Sequence, residues 1–331
     1  MIQNAPGAPR RIDCHVHLVG DGSDGSGCFF CLPSPLKRFL AGRMLKEVGL
    51  PSSALRGGLD RAYRESLLRL VEGSGLDAAV VLAQDWPYDE RGEPLRDRAN
   101  FFVPNDYLLD VCAASGGRFI PAVSIHPYRA DACRELERCV SRGAKVLKLL
   151  PNCHNADCNA PRTRDFWKLM ADTGTVFLCH TGGEYSVPVI NRAYESPGIL
   201  RQPLEQGVTC IAAHAAGSSA PLVSRDHTEE LVAMFRDYPH LYCDNSALCT
   251  PNRAGTAKRL LRADAAGRVL HGSDFPVPVG GLGPWVRGLL PWSAVRAASR
   301  DANPLRRDAS LKRAMGFGDD TFTRLDGLLR A

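Results

Sequence analysis

Short apolar runs rich in β-branched residues alternate along the chain with stretches in which apolar residues recur at helical spacing. In the clearest helical stretch, Leu59, Tyr63 and Leu67 recur every four residues, so they would share one buried face. Shorter stripes of the same kind contain Leu136 and Leu231. The apolar runs predict eight strands, at residues 11–16, 78–83, 119–125, 146–150, 175–179, 209–213, 241–244 and 268–272.

Strands that alternate with helices are typical of parallel βαβ units, and eight such units predict a (β/α)8 TIM-type barrel. We expect a single domain over residues 1–331. Two connections, 19–59 and 84–104, are too long for a plain barrel and follow the first and second strands. Connections of this kind lie at the catalytic rim, so both are predicted to be lid-like insertions. The helix after the fifth strand is poorly predicted, because Pro188 and Pro197 interrupt its pattern.

Composition and charge narrow the functional classes. The 331 residues carry 41 Lys and Arg against 36 Asp and Glu, a formal net charge of +5. This excess is too small for a nucleic-acid-binding surface, and the basic stretch between Arg296 and Arg313 is expected to be a solvated surface helix. The chain lacks a run of ~18 apolar residues for a membrane span, and residues 1–11 lack a secretion signal. We therefore expect a cytoplasmic protein with reduced cysteines.

Polar side chains that can bind metals stand at the carboxyl ends of several predicted strands. His15 and His17 lie two residues apart at the end of the first strand, so they point to the same side. His180 and His214 follow the fifth and sixth strands, and Asp274 follows the eighth. Because these strand ends meet at one pocket of a barrel, their imidazole and carboxylate groups would be gathered there. This set of groups suits Zn, Mn, Fe or Co.

The same positions carry a resemblance to a known family. The motifs Asp13-x-His15-x-His17, His180-Thr-Gly-Gly183, His214 and Gly272-Ser273-Asp274-Phe275-Pro276 resemble those of the amidohydrolase superfamily. The more specific similarity is to the branch that holds the aminocarboxymuconate-semialdehyde decarboxylases, the resorcylate decarboxylases and the pyrone-dicarboxylate lactonases. It covers about residues 11–280.

The resemblance implies a set of site residues. His15, His17, His180 and Asp274 would bind one or two divalent ions, with zinc the expected metal. Asp274 would also take the proton from the attacking water. His214 would be either an acid or base beside the metal or a ligand of a second ion.

Lys148, on the fourth predicted strand, divides the possible reactions. In binuclear members of the superfamily, a lysine on this strand carries a carbamate that bridges two metals. Lys148 could instead be a cation that binds a substrate carboxylate or an oxyanion, or a buried partner of Asp244. The sequence leaves these three alternatives open.

Four cysteines form a second candidate metal site. Cys28 and Cys31 have zinc-finger spacing in the first long connection, and Cys153 and Cys158 follow the fourth strand. Together they could bind a structural zinc ion. The alternative is that they are buried as small apolar side chains.

Further polar residues near predicted strand ends are candidate substrate contacts. His126 and Arg129 follow the third strand, His154 and Arg162 follow the fourth, and Glu184 follows the fifth. An arginine here could bind a carboxylate through two parallel hydrogen bonds. The alternative for each residue is a hydrogen bond within the rim of the barrel.

The sequence leads to the hypothesis of a metal-dependent hydrolase. Activated water would attack an amide, lactone or similar carbonyl bond in a small acidic or aromatic molecule. Asp274 would move the proton, while His214 and Lys148 stabilise the oxyanion. One alternative is a metal-dependent non-oxidative decarboxylase of an unsaturated or aromatic carboxylate, and another is a non-catalytic barrel that only binds a ligand. The expected partner is a small carboxylate, without nucleic acid or membrane, and a homodimer is expected by analogy with the branch.

Overall fold

The computed structural model describes residues 7–219 and 224–330. Eight parallel strands form one sheet, in which consecutive strands of the chain are neighbours. The predicted (β/α)8 barrel is therefore confirmed. The barrel strands are β1 Ile12–His17, β2 Ala78–Leu82, β3 Phe119–Val123, β4 Val146–Leu149, β5 Val176–His180, β6 Cys210–Ala213, β7 Leu241–Asp244 and β8 Val269–Leu270.

Hydrogen bonds between β1 and the segment that follows β8 join the two ends of the sheet. The backbone N–H of Cys14 donates to the carbonyl of His271 at 2.8 Å, and the N–H of His17 donates to the carbonyl of Phe275 at 2.8 Å. A closed barrel directs the carboxyl ends of all its strands to one face. The segment that carries the eighth-strand aspartate is therefore held against the histidine-bearing end of β1.

Helices cover the outside and one end of the barrel. The face predicted from Leu59, Tyr63 and Leu67 is confirmed, because all three side chains are fully buried. Leu325, on the last helix, packs into the apolar cluster of the barrel strands. No helix within the described ranges is both long and apolar enough to cross a membrane. The α-helices in the described residues are α1 Pro35–Val48, α2 Leu59–Glu72, α3 Asn105–Ala113, α4 Ala132–Ser141, α5 Pro151–His154, α6 Arg164–Asp172, α7 Arg201–Glu205, α8 Thr228–Met234, α9 Ala257–Leu260, α10 Leu282–Val286, α11 Trp292–Ser299, α12 Pro304–Met315 and α13 Asp319–Arg330.

The connection after β5 contains only short helical turns, which agrees with the weak helical pattern of its sequence. Two 3-10 turns, Arg192–Glu195 and Pro197–Leu200, precede the short helix α7. Pro197 opens the second turn, where its missing N–H costs no helical hydrogen bond. The prolines therefore divide this connection into short pieces.

The two long insertions are joined by a small antiparallel ribbon that the sequence pattern does not reveal. Phe29–Phe30 in the first insertion pairs with Phe101–Phe102 in the second. The ring of Trp86 stacks on Phe102 with centroids 4.2 Å apart. The insertions therefore support each other over the catalytic face of the barrel.

The basic stretch near the carboxyl end is not entirely a solvated surface, so that expectation was wrong for Lys312. This side chain is fully buried on α12. Its Nζ donates to Asp308 Oδ2 at 2.6 Å and to the carbonyl of Gly272 at 2.5 Å. A buried carboxylate one helical turn away makes the burial of the lysine tolerable. The pair fixes the chain two residues before Asp274.

Candidate metal centre

The alternation of β4 and β5 turns a lysine and a histidine into the barrel. Val146 and Leu178 belong to the apolar cluster of the barrel interior. Lys148 and His180 come two residues after them on the same strands. Because side chains of a strand alternate between its faces, both polar groups share the inward face.

An irregularity in β1 brings two histidines to one cavity. Ile12 pairs with Ala78 and His17 pairs with Leu82, and both partners on β2 face inward. The two pairings are five residues apart on β1 but four apart on β2, so a β-bulge reverses the alternation between them. His15 lies within this bulge and His17 directly after it, and both line the cavity, as their spacing predicts.

His15 is a neutral imidazole oriented by Asp244. Burial, reinforced by Lys148, lowers the pKa of His15 to about 4. Its Nδ1 lies 2.8 Å from Asp244 Oδ2. Burial by itself would raise the pKa of Asp244, but His15 and several hydrogen bonds hold that pKa well below its usual range. The ionised carboxylate therefore accepts the Nδ1 proton, which leaves the Nε2 lone pair of His15 for a metal.

The carboxylate of Asp274 stands among the histidines. Its Oδ1 lies 3.2 Å from His17 Nε2 and 3.3 Å from His15 Nε2, and its Oδ2 lies 4.0 Å from His214 Nδ1. Burial works against the charge, yet His15 and His17 lower the pKa of Asp274 to about 2. Its φ of 66° is uncommon for a residue with a side chain, which indicates a strictly required position.

His180 provides the test of whether a metal fits. Its Nε2 is buried and lacks a hydrogen-bond partner among the described residues, and Glu184 Oε2 lies 3.6 Å away. An unpaired buried polar atom costs about 1–3 kcal/mol, so it is rarely left without a function. His15, His17 and Asp274 offer ligand atoms within 4.8 Å of one another, and His180 lines the same cavity. Imidazole and carboxylate donors of this kind fit a divalent ion such as zinc.

His214 is anchored at its backbone and its ring. Its N–H donates to Asp244 Oδ1 at 2.7 Å, and its Nδ1 lies 2.7 Å from Ser246 Oγ. Because the Ser246 hydroxyl donates its own proton to Asp244, His214 must donate from Nδ1. The Nε2 of His214 is then free to accept a proton or bind a metal. Positive φ angles at His214, Ala215 and Ala216 place this ring on a strained turn.

Lys148 is buried beside the same histidine. Its Nζ lies 3.3 Å from His15 Nε2. Burial lowers the pKa of Lys148, although Asp244 and Asp274 oppose this effect. Within the described ranges Lys148 forms no ion pair with a carboxylate at 4.0 Å or less, so the direct pairing with Asp244 is not found. The carbamate and the substrate cation stay predictions.

The polar cluster forms one end of a cavity of about 370 Å³. Phe30 from the first insertion and Phe101 from the second also line it. Leu36 and Tyr185 line the cavity and are 58% and 61% exposed, so the cavity opens to solvent between α1 and the connection after β5. Both insertions therefore border the site, while their movement as lids stays a prediction.

A hydrogen bond with His154 fixes how Gln84 faces this cavity. Burial lowers the pKa of His154 to about 3, so its ring is neutral. His154 Nδ1 accepts from the N–H of Leu150 at 3.3 Å, which leaves the single ring proton on Nε2. The structure places the amide nitrogen of Gln84 2.7 Å from that Nε2, and two N–H donors cannot bond each other. We therefore assign the amide with its nitrogen and oxygen exchanged, so that the oxygen accepts this proton and the Gln84 NH2 group becomes a donor for the cavity that Gln84 lines.

The polar groups of His126 and Arg129, two predicted substrate contacts, are hydrogen-bonded within the protein. The Nε2 of His126 donates to the carbonyl of His154 at 3.0 Å, and its Nδ1 accepts from the N–H of Tyr128 at 3.1 Å. Arg129 pairs with Asp85 at 3.3 Å and also with a neighbouring aspartate. Neither residue lines the cavity. Their polar groups stabilise the connection after β3.

Of the three remaining predicted substrate contacts, Glu184 lines the cavity, whereas Arg162 and His154 do not. Arg162 lies with its guanidinium 3.4 Å from the ring centroid of Tyr128, outside the cavity lining. His154 is buried behind Gln84 and acts on the cavity through it. Glu184 does line the cavity, and its Oε1 accepts from backbone N–H groups, including that of Val187 at 3.1 Å.

The four cysteines do not form the predicted zinc site. Cys28, Cys153 and Cys158 are buried and Cys31 is exposed. Among the described residues, the groups of side chains that could hold a metal contain no cysteine. Burial raises the pKa of Cys28 to about 12, so this thiol stays protonated. The alternative, that these residues pack as small apolar side chains, fits the three buried ones.

Asp244 and Gln84 are site residues that the sequence motifs do not identify. Asp244 is the last residue of β7, and Gln84 comes two residues after β2. Both positions belong to the rim that also holds His180 and His214. A search for every polar residue at a strand end would have found them.

Comparison with known proteins identifies the family. The sequence profile described as amidohydrolase matches residues 12–294. The chain belongs to the amidohydrolase family. It is therefore an enzyme, and the non-catalytic alternative is set aside. Amidohydrolases generally use a divalent metal, which agrees with the His and Asp groups of the cavity. No curated protein matches this amidohydrolase.

Solved structures share the barrel at low sequence identity. An uncharacterised TIM-barrel protein from Bordetella bronchiseptica aligns with a TM-score of 0.61 and 15% identity, covering 97% of this chain and 99% of its own. A 2-pyrone-4,6-dicarboxylic acid hydrolase assigned in Pseudomonas putida has a TM-score of 0.55 and 14% identity, with 97% and 98% covered. A 2,6-dihydroxybenzoate decarboxylase has a TM-score of 0.52 and 14% identity, with 98% of both covered. The resemblance stated from the motifs is confirmed, and these likenesses show the fold.

Proposed function

We propose that this amidohydrolase is a metal-dependent hydrolase of amide, lactone or similar carbonyl bonds. The observation that carries the proposal is the buried Nε2 of His180, which has no hydrogen-bond partner among the described residues and belongs to the same cavity as His15, His17 and Asp274. These four side chains would hold the ion, for which zinc suits the nitrogen and carboxylate donors best. When bound, such an ion polarises a carbonyl oxygen and acidifies water.

The residues around the cluster supply the proton transfers. Asp274 is ionised at neutral pH, so it can accept a proton from water as the attack proceeds. His214 is neutral and has an unprotonated Nε2, and Asp274 Oδ2 lies 4.0 Å from the other ring nitrogen, Nδ1. Asp274 would return this proton to the leaving group, and the Nε2 of His214 is a second proton acceptor of the site. The NH2 of Gln84 and the Nζ of Lys148 are donors for the developing oxyanion.

A paired assay tests this proposal. Zinc-loaded protein should release acid from simple γ-lactones or anilides, measured by titration at constant pH. His180→Ala should lower kcat/KM by at least about a hundredfold, the loss expected for an essential catalytic group. His240→Ala, an exposed histidine away from the cavity, is the matched control and should keep the wild-type rate. Equal rates for wild type and His180→Ala would overturn the proposal.

The second candidate is non-oxidative decarboxylation, and the buried position of the Lys148 amine in the cavity favours it. Lys148 Nζ lies inside the cavity beside His15 and could hold a substrate carboxylate. Loss of carbon dioxide disperses that negative charge, which a poorly solvated site favours. Incubation with aromatic and unsaturated carboxylates separates the candidates. Release of carbon dioxide without net water consumption would favour the decarboxylase, and its absence beside lactone opening would favour the hydrolase.

A further inference from the structure

The cavity has two chemically different ends. The polar end is the cluster of histidines, Asp274 and Lys148 described above. The other end, which we call the apolar arm, belongs to the first insertion, residues 19–59. The apolar arm is lined by Leu32, Leu36, Leu40, Met44, Leu45 and Leu55.

The spacing of residues in α1 creates this arm. Leu36, Leu40 and Met44 follow one another at intervals of four, so they form a stripe along one side of the helix. Ser34 caps the helix by accepting from the N–H of Lys37, which fixes where the stripe begins. The stripe faces the cavity instead of closing onto another element. Apolar surface kept open to water is unfavourable, and an apolar ligand would cover it.

Charge is scarce in the arm. Lys37 is the one ionisable side chain of residues 19–59 that lines the cavity, all of these residues being described. In the described part of the chain, no arginine lines it either. Arg253, buried nearby, already donates to the carbonyls of Gly217 and Gly183. Lys37 and Lys148 are then the only lysine or arginine side chains among the described residues that line the cavity, which are few for a small substrate with two or three carboxylates.

We propose that the substrate carries an apolar chain or ring system attached to its reactive carbonyl group. The carbonyl lies at the histidine cluster, and the apolar part fills the arm toward the opening at Leu36 and Tyr185. The inference rests on the proposed function for what happens at the polar end. It replaces the expected small acidic molecule with an amphiphilic one, such as a long-chain γ-lactone or the amide of an apolar acid.

Direct binding of primary alcohols tests the arm without any reaction. The full-length protein is titrated calorimetrically with alcohols from butan-1-ol to decan-1-ol. Affinity should rise about fourfold for each added methylene, the increment expected when a methylene leaves water. Affinity independent of chain length would overturn the proposal.

Substitutions on α1 show where the chain binds. Ala41 lines the cavity, so Ala41→Phe should remove most of the gain for the longer alcohols, and Leu40→Asp should do the same through its charge. Arg43→Phe introduces the same side chain on the same helix but on its exposed side, and the chain-length series should be unchanged. A series unaffected by both cavity variants would contradict the assignment to this arm.

Hydrolysis of γ-lactones of increasing length distinguishes this inference from the proposed function. If binding depends on chain length but no lactone is hydrolysed, the apolar arm is supported and the proposed hydrolase function is contradicted. If lactones are hydrolysed with the same kcat/KM from γ-butyrolactone to γ-dodecalactone, the hydrolase function is supported and the role of the apolar arm is contradicted. We expect kcat/KM to rise with length in wild type and to rise much less in Ala41→Phe.

Discussion

Asp244 Oδ2 accepts a hydrogen bond from His15 Nδ1 at 2.8 Å, while the other oxygen of the same carboxylate accepts from the backbone N–H of His214 at 2.7 Å. One buried carboxylate therefore fixes two rings of the cluster. Its charge keeps the His15 proton on Nδ1 and directs the Nε2 lone pair at the cavity. Asp244 is a positioning residue, since it acts through the histidines.

This relationship predicts that Asp244→Asn lowers metal affinity. Carboxylates that orient a metal-binding histidine typically contribute about 10–100-fold to affinity, so a loss of that size is expected. Titration of metal-free protein with zinc against a competing chelator measures it. Asp237→Asn, an exposed aspartate, is the control and should bind zinc as wild type does. Unchanged zinc affinity in a folded Asp244→Asn protein would contradict the role of Asp244.

Substitution of Gln84 tests the donor assigned to its NH2 group. Gln84→Leu should lower kcat/KM by roughly tenfold, because a hydrogen bond to the substrate is lost at little cost in volume. Gln84→Glu should lose as much, since a carboxylate offers His154 an acceptor but offers the substrate no donor when ionised. A Gln84→Glu enzyme with wild-type kcat/KM would show that the amide nitrogen does not face the substrate. Steady-state kinetics on one lactone measure all three proteins.

The pair of Lys312 and Asp308 predicts a large and compensable stability effect. Lys312→Met leaves the Asp308 carboxylate buried without its partner, which typically costs about 3–5 kcal/mol of unfolding free energy. Lys312→Met combined with Asp308→Leu removes both charges and should recover most of that loss. Urea unfolding measures the three proteins. A double variant as unstable as Lys312→Met would mean that the lysine acts through Gly272 and not through the charge pair.

The buried histidines predict that stability falls in mild acid. Burial lowers the pKa of His15 to about 4 and that of His154 to about 3, and holds the pKa values of His126, His180, His214 and His271 well below their usual range. Below about pH 6.5 these rings take up protons in the unfolded chain but not in the folded one. The unfolded state then binds more protons, so the unfolding free energy decreases as pH falls from about 6.5 toward 4, by up to ~1.4 kcal/mol per pH unit for each histidine.

Urea unfolding of the metal-free protein between about pH 7.5 and 5 measures this dependence. Carboxyl groups whose pKa is raised by burial have the opposite effect on the pH dependence of the unfolding free energy. Burial raises the pKa of Asp13, for example, to about 7. The histidines whose pKa is lowered outnumber the carboxyl groups whose pKa is raised, so the net trend should follow the histidines. A flat profile, or greater stability at the acid end, would contradict neutral burial of these rings.

The local pattern of apolar and polar residues was sufficient to predict the barrel and most of the polar residues at the carboxyl ends of its strands. The strands alternate with amphipathic helices, and a polar residue at a strand end has one available destination in a closed barrel. His15, His17, His180, His214 and Asp274 could therefore be gathered in one cavity from the sequence alone. Residue alternation also explains the inward position of Lys148.

Features that depend on distant pairings could not be predicted. The ribbon of Phe29–Phe30 and Phe101–Phe102 joins segments about seventy residues apart, and nothing local specifies the partner. The burial of Lys312 depends on the carbonyl of Gly272, which lies 40 residues away along the chain and accepts from its Nζ. His126 and Arg129 have the residue types of a substrate site, but only the fold reveals that their polar groups are already bonded within the protein.

The central claim is that this amidohydrolase holds a divalent ion in the cluster around His180. The measurement that tests it most directly is metal content by elemental analysis, after incubation with zinc or manganese and removal of free metal. Wild type should retain at least one ion per chain, as should a Cys28→Ser and Cys31→Ser control, while His15→Ala and His180→Ala should each lose it. A wild-type protein without bound metal, or a His180→Ala protein with the full amount, would contradict the account.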